Sequence, residues 1–583
     1  MTSRAYSFLL AGFVMISGCI DSRSADSDGR ESSASGFAFT DITEEAGLGQ
    51  FHHDNGGFGE AWAPEIVGSG GGFIDYDGDG WLDILLVGGG RFRERPNGRV
   101  QGLWLFRNQG DGTFVETTHE AGLGDIETYG FGIVVADFDN DGDEDFFLTT
   151  LYENMLFRND GGVFTEVGRE AGVAGPEEWS TSAMFFDADR DGHLDLYVGN
   201  YVDWSPDKDI YCEYEGEKVY CTPQEYTGIP SRFYQNNGDG TFTERTEEAG
   251  FIPIPGKVFG VVELDYNQDG WSDLYIAEDT ERDLLYENRG DGTFEERGVR
   301  AGVAFDSHGR PRAGMGADAG VVDTTGEVTL FVGNFSHETV GVYRHVRDGL
   351  FMDHVAGSKL GHPSLMTLTF GLFLFDVDLD GDLDLLTANG HVQTHIQKVH
   401  EMVTFRQPTQ LYLNDGFGLF DEVDSEGTVL ARPLVARGAA YADFDKDGDL
   451  DVLLTENHGP AHLWRNDLIG PDRPSSGWVK IRLQGTESNR DAIGARLVGK
   501  AAQRVMDRRV RTGSSYLSQS EKAVVFGVGE TERLDSLRVY WPSGRIDHFA
   551  DVPAGQEILI IEGEGTLRIP AEEGSLSTQL TRR

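Results

Sequence analysis

Asp75, Asp77, Asp79 and Asp83 occupy positions 1, 3, 5 and 9 of a nine-residue stretch whose position 6 is Gly80. Side chains so spaced can converge on one point if the glycine makes a sharp turn, and the carbonyl at position 7 can add an oxygen. An all-oxygen cage rich in carboxylates suits a hard cation. Outside the cytosol that cation is calcium rather than magnesium, which keeps its water and needs tighter octahedral geometry. The stretch returns as Asp137, Asp139, Asp141 and Asp145, then as Asp187, Asp189, Asp191 and Asp195. It returns again as Asp265, Asn267, Asp269 and Asp273, as Asp376, Asp378, Asp380 and Asp384, and as Asp443, Asp445, Asp447 and Asp451. The expectation is a Ca²⁺ cofactor at about six sites. A further unit from Val321 keeps the length and Gly326 but has Val321, Thr325 and Thr329 at positions 1, 5 and 9, leaving Asp323 as its acid. No calcium site is expected there.

An EF-hand would need Glu at position 12, where the first two loops have Leu86 and Leu148. Acids in polar turns are common, but fixed acid positions in repeated copies are not explained by turn preference alone. Several carboxylates gathered without a cation repel one another, so binding should be coupled to stability. Recurrence along the chain argues for structural sites, since a catalytic metal is expected at one distinctive place.

The elements that must carry these loops are strands. Each loop is followed by a short aliphatic run such as ILLVGG, FFLTTL or LYVGNY. A second module, RNQGDGTF, QNNGDGTF and ENRGDGTF, puts Asn and Asp-Gly turns between apolar runs, the signature of a hairpin. Each unit thus offers about four short strands, the content of one propeller blade. The last unit ends at LWRND without a GDGTF strand, whereas FTDITEEAGL from Phe39 precedes the first without a hairpin. The N-terminal strand is therefore expected to complete the last blade and close a seven-bladed ring, which removes exposed edges. From about Gly477 to Gly563, WVKIRL, LRVYW and ILIIEG read as strands of a small β-sandwich packed on the propeller. The fold class expected is all-β.

Net charge is -51, from 99 Asp+Glu against 48 Lys+Arg, which argues against a nucleic-acid partner. Arg4, the apolar run Tyr6 to Ile16 and Ile16-Ser17-Gly18-Cys19 read as an export signal ending in a lipobox, with Cys19 lipidated. The alternative is a plain signal peptide with an incidental cysteine. No later stretch is apolar enough to span a bilayer, so membrane attachment is expected through the N-terminal lipid only. Cys212 and Cys221 are expected to form a disulfide closing a short loop in an oxidising compartment.

Other chemistry is thin. His391, His395 and His400 with Glu401 could hold zinc, but HExxH is missing, so a loop of solvated or satisfied histidines is the plainer reading. Gly70-Gly71-Gly72 lacks the Gly-Lys-Ser/Thr ending of a phosphate loop, and no GxSxG elbow is evident. No catalytic residues are assigned.

The aspartate repeats resemble those of FG-GAP/VCBS propellers, which are similar to the integrin α-subunit head. NRDAIGARLVGK, GSSYLSQSEKAVVFGVGE and VYWPSGRIDHFADVPAGQ are similar to the ASPIC/UnbV domain. The combination resembles the cartilage acidic protein 1-like family. That resemblance implies an exported or envelope calcium-binding protein with adhesion or matrix-type interactions, its ligand a glycan, a matrix polymer or an envelope protein. The alternative is a calcium-dependent glycoside hydrolase or polysaccharide lyase on a propeller scaffold. The expected layout is a signal over 1–19, a tether over 20–36, the propeller over 37–467, the ASPIC/UnbV-like domain over 475–565 and a tail over 566–583.

Overall fold

The computed structural model describes residues 38–93, 101–469, 477–568 and 579–581. The expected signal, Cys19 and the tether lie outside the described residues, as does most of the 566–583 tail.

Seven small antiparallel sheets follow one another along the chain. In blade 2 the strands are Gly130–Ala136, Asp145–Thr150, Met155–Asn159 and Phe164–Glu166. The first two are buried throughout, the third alternates, and the fourth buries one residue, Phe164. Apolar content therefore falls from the axis outward, as a blade flanked by neighbours on both faces requires. The other blades begin with Gly71–Ile74 (blade 1), Ser180–Phe186 (3), Val258–Leu264 (4), Gly314–Gly320 (5), Thr369–Phe375 (6) and Ala436–Ala442 (7). These innermost strands touch one another in succession right round the ring. Phe39–Asp41 pairs with Ala461–Asn466, Phe39 opposite Asn466 and Asp41 opposite Trp464, so the first described strand is the outer strand of blade 7.

A repeated asparagine staples the ring. The last residue of the third strand donates its side-chain amide to the carbonyl at loop position 2 of the preceding blade. Asn159 reaches Tyr76, Asn236 reaches Phe138, Asn288 reaches Ala188, Asn414 reaches Val322 and Asn466 reaches Val377, at 2.8–3.0 Å. Asn108 of blade 1 reaches Phe444 of blade 7 at 3.0 Å and so bonds across the closure.

Beyond the ring, Gly477–Gln484, Val524–Gly529, Gln556–Ile561, Thr566–Arg568 and Gln579–Thr581 form one sheet. Arg496–Ala501, Arg504–Arg509, Arg533–Tyr540 and Ile546–Pro553 form a second. Val479, Ile481, Leu497, Phe526, Leu537 and Ile558 pack between them in a cluster continuous with Phe138, Phe185 and Leu194 of blades 2 and 3. The sandwich expected from the sequence is present, but its relation to the propeller is more than face-to-face packing.

Residues 510–523, between the strands Arg504–Arg509 and Val524–Gly529, run into the axis of the ring as a finger. Thr512 exchanges hydrogen bonds with Phe185, and Ser515 with Ala317. Ser518–Gln519 adds a fifth, parallel strand to blade 1 against Gly71 and Gly72. Tyr516, fully buried, donates to the Val67 carbonyl at 3.0 Å and lies 5.0 and 5.6 Å from the Phe370 and Phe259 rings. The glycines on the inner strands make room for it. A Cβ on Gly72 would stand 2.3 Å from the Gln519 carbonyl oxygen, and one on Gly70 2.1 Å from that of Leu517.

Candidate metal centres

Each aspartate loop joins the first strand of a blade to the second, so all of them lie on one face of the ring. Two backbone features shape them. Glycine at position 6 has a left-handed φ, +107° at Gly142 and +96° at Gly381. Position 4 is left-handed as well, at Gly78, Asn140, Arg190, Gln268, Leu379 and Lys446, with φ between 57° and 68°. Non-glycine residues adopt this conformation at a cost of about 1 kcal/mol or more, so the loop geometry is imposed by its surroundings.

The position 9 carboxylate is the main constraint. In all six loops one oxygen accepts the N–H of position 2 and the other accepts the N–H of the stapling asparagine. Asp145, for instance, takes Phe138 at 3.1 Å and Asn159 at 2.7 Å, and Asp384 takes Val377 at 3.1 Å and Asn414 at 2.9 Å. Asp83, Asp195, Asp273 and Asp451 repeat the bracket. The residue read from the sequence as a cation ligand thus also ties the loop to the blade.

The acids converge in five loops. Carboxylate oxygens of Asp75, Asp77 and Asp83, of Asp137, Asp139 and Asp145, and of Asp376, Asp378 and Asp384 come within 4.8 Å of one another. So do those of Asp187, Asp189 and Asp191, and of Asp443, Asp445 and Asp447. Positions 1 and 3 belong to every cluster, joined by 9 in three loops and by 5 in two. Asp79, Asp141, Asp195, Asp380 and Asp451 stand outside these groups. The blade 4 loop does not form one, because it substitutes Asn267 at position 3. There the Asn267 amide donates to Asp269 at 2.9 Å, and Arg509 of the C-terminal sandwich approaches Asp265 at 3.3 Å.

The donor set fits a hard divalent cation. Asp77, Asp187, Asp265 and Asp376 each have a buried Oδ1 without a hydrogen-bond donor among the described residues. A buried carboxylate oxygen left so is costly unless a cation meets it. Burial, assisted by neighbouring carboxylates, pushes Asp75 up to about 6, and Asp137 and Asp187 to about 7. Burial likewise lifts Asp376 to about 8 despite Arg508 nearby, and Asp83 and Asp145 to about 9. A bound divalent charge would reverse the mutual repulsion and favour ionised ligands.

The C-terminal sandwich covers this face with cations, which the sequence did not signal. Lys480 lies 3.2 Å from Asp443, Arg490 3.7 Å from Asp137, and Arg508 3.8 Å from Asp376. Arg504 pairs with Asp380 at 3.0 Å and with Asp382 at 3.1 Å. Blade 5 differs: Asp323 pairs with Arg344 of its own sheet and accepts the Thr325 N–H at 2.7 Å.

Cys212 and Cys221 are joined by a disulfide at the ends of a small hairpin, Cα–Cα 5.3 Å. The three histidines are dispersed rather than gathered. His391 is fully buried, accepts the Gln393 N–H at 3.0 Å and is pushed down by burial to about 3. His395 stacks on Tyr214 and His400 meets His337. No metal-type cluster includes them among the described residues.

Family models match on the same lines. FG-GAP-like repeat matches residues 75–148, 137–198, 265–326 and 376–454, and ASPIC and UnbV matches residues 485–567. Cartilage acidic protein 1 of Homo sapiens is 27% identical over 321 residues, 52% of this chain and 44% of the relative. The Xenopus tropicalis protein of that name is 26% identical over 292 residues, 47% of this chain and 40% of the relative. The matched region thus spans less than half the length of these relatives. A solved Agrocybe aegerita structure, described as specifically recognising non-reducing terminal N-acetylglucosamine, is 17% identical with a TM-score of 0.35. It covers 66% of this chain and 85% of its own. The chain carries FG-GAP-like repeats joined to an ASPIC and UnbV region and is similar to cartilage acidic protein 1.

Proposed function

We propose that this protein is an exported, calcium-loaded propeller that serves as a recognition scaffold at the cell envelope, held there by a lipid on Cys19. The observation that carries the reading is the set of converging aspartate loops with buried, unpartnered oxygens. Calcium supplies positive charge at each loop. The chain's own residues set its place: Asp at positions 1 and 3 face the ion, position 9 fixes the loop to the blade, and left-handed positions 4 and 6 turn the chain around it. The regularly placed acids are committed to this structural task, which favours recognition of a glycan, matrix or envelope protein over polysaccharide cleavage. Among the described residues no helix is long and apolar enough to cross a membrane.

The test is thermal melting of the soluble chain from residue 20 onward, in chelator and across a millimolar calcium series. A saturable rise supports the reading and sets the condition for screening immobilised glycans and envelope extracts. Equal melting in both sinks it.

A further inference from the structure

Two features with no part in the aspartate loops, the disulfide hairpin and the histidine segment, meet at the opposite end of the channel. Cys221 and Tyr226 come from the insertion that follows the second strand of blade 3. Val392, Gln393 and Ile396 follow the second strand of blade 6. They are clasped together: Gln393 donates its amide to the Tyr220 carbonyl at 2.8 Å, and Tyr214 stacks on His395 at 4.8 Å. Beneath these lips is a cavity of about 250 Å³. Its floor includes Phe259, Met315 and Phe370, and the finger's Tyr516 packs on both phenylalanines. The finger fills the shaft from the loop face and stops there, so the cavity is what remains of the channel.

The walls are mostly apolar, and their polar groups include the carboxylates of Asp279 and Glu338 and the Gln393 amide oxygen beside the hydroxyls of Tyr201, Tyr226 and Thr280 and the His391 ring. Gln393 has its nitrogen committed to Tyr220, and its buried Oε1 has no donor among the described residues. Thr280 Oγ1 is buried without a partner. Asp279 and Glu338 add two carboxylates, accepting from the Tyr201 hydroxyl at 2.7 Å and the Ala313 N–H at 2.8 Å. Among the described residues no Lys or Arg lines the cavity. Cations around it are engaged in part: Lys257 pairs with Glu281, Arg312 with Asp353, and Arg437, stacked on Phe370, donates to the Ile66 and Gly390 carbonyls, while Arg312 Nη1 and Arg437 Nη2 have no acceptor among the described residues. The volume is that of roughly eight liquid waters at about 30 Å³ each, enough for one aromatic ring with a short arm.

We infer that this mouth of the channel is a binding site for a compact primary amine on an aromatic or aliphatic frame, its apolar body on Phe259, Met315 and Phe370 and its ammonium toward Asp279, Glu338 and the Gln393 amide oxygen. The site lies on the face away from the aspartate loops and does not depend on their occupant. Acceptors beside an apolar floor favour a donor head over an acceptor one: burial pushes Asp279 up to about 7 and Glu338 up as well, an ammonium beside them would favour their ionised forms, and a carboxylate would add like charge to the same buried place.

The probes are 2-phenylethylamine and its acidic counterpart 3-phenylpropionate, titrated calorimetrically into the full soluble chain in calcium. The amine is expected to bind with Kd of about 1 mM or tighter, as a ligand of this size allows, and the acid at least tenfold more weakly. Met315→Trp, which fills the floor, and Ile396→Trp, which fills the lip outside the channel, should each weaken the amine at least tenfold while melting as the parent does. Asp279→Asn should narrow the gap between the two probes. Absence of saturable amine binding, equal or tighter binding of the acid, or undiminished binding in a folded Ile396→Trp protein would overturn the inference.

Discussion

Blades 5 and 6 are neighbours on one plan and meet the charge in their first loop differently. In blade 6, Asp376, Asp378 and Asp384 converge, Leu379 is forced into a left-handed turn, and position 9 brackets the loop to the Asn414 backbone. In blade 5 each of these changes together. Thr329 replaces the bracketing acid, Thr324 at position 4 is not left-handed, and His345 stands where the third strand elsewhere ends in asparagine. Asp323, the acid kept at position 3, is neutralised by Arg344, and Glu327 at position 7 lies 2.8 Å from His345. A guanidinium carried by the chain can therefore take over the balancing of charge, and the turn geometry relaxes once several carboxylates no longer share one point.

The widest test of that contrast is removal of calcium. With several loops each contributing about 2–3 kcal/mol at saturating ion, chelation should lower Tm by on the order of 10 °C, read by calorimetry. The pH dependence should follow. Without the ion, the raised carboxylates of Asp75, Asp137, Asp187, Asp376, Asp83 and Asp145 bind protons in the folded state that the unfolded state has released. Their contribution is then fullest below about pH 4 and is lost as pH rises through about 6 to 9. In chelator these groups should lower Tm from pH 5 to pH 8, whereas in calcium the trend should flatten or reverse. A Tm rising in chelator over that range would contradict the burial of these acids.

Single loops come next. Asp139→Ala should lower Tm by about 2–3 °C in calcium, lower it less in chelator, and remove one calcium by equilibrium dialysis. Asp323→Ala should leave the bound calcium unchanged and shift Tm equally in both buffers. Loss of calcium from that variant would erase the distinction between blade 5 and the others. Smallest is the staple: Asn288→Ala leaves the Ala188 carbonyl without its donor and should cost about 1–2 kcal/mol, seen as a calcium-independent fall in the denaturation midpoint.

Repetition made much of this readable. The all-β class, the seven blades and the strand that closes the ring were legible because apolar runs and turn residues recur in register, so many weak local signals agree. The aspartates were legible as a donor set. Their second task was not, since the bracket at position 9 depends on an amide in a strand 14 to 41 residues later, as Asp145 with Asn159 and Asp195 with Asn236 show. The first asparagine of RNQGDGTF was visible as a turn residue, yet its acceptor belongs to the previous blade. The finger left less trace: GSSYLSQS has no period, forms a strand through two residues whose partners Gly71 and Gly72 lie more than 400 positions earlier, and meets Ala317 of another blade through Ser515. The run Gly70-Gly71-Gly72 was its counterpart in the sequence, where it was noticed only for lacking the ending of a phosphate loop.

That finger also fixes the order in which the molecule can be finished. A chain made from its N-terminus must hold Phe39–Asp41 in waiting until Ala461–Asn466 emerges to pair with it, and the ring so formed still has a hollow shaft bordered by bare inner-strand glycines. Only when residues 510–523 arrive is the shaft filled and blade 1 given its fifth strand. Contacts so distant along the chain form slowly and leave apolar surface open meanwhile. A late-made segment is thus the keystone of the blades made before it, and a chain cut after residue 469 would be an arch without it.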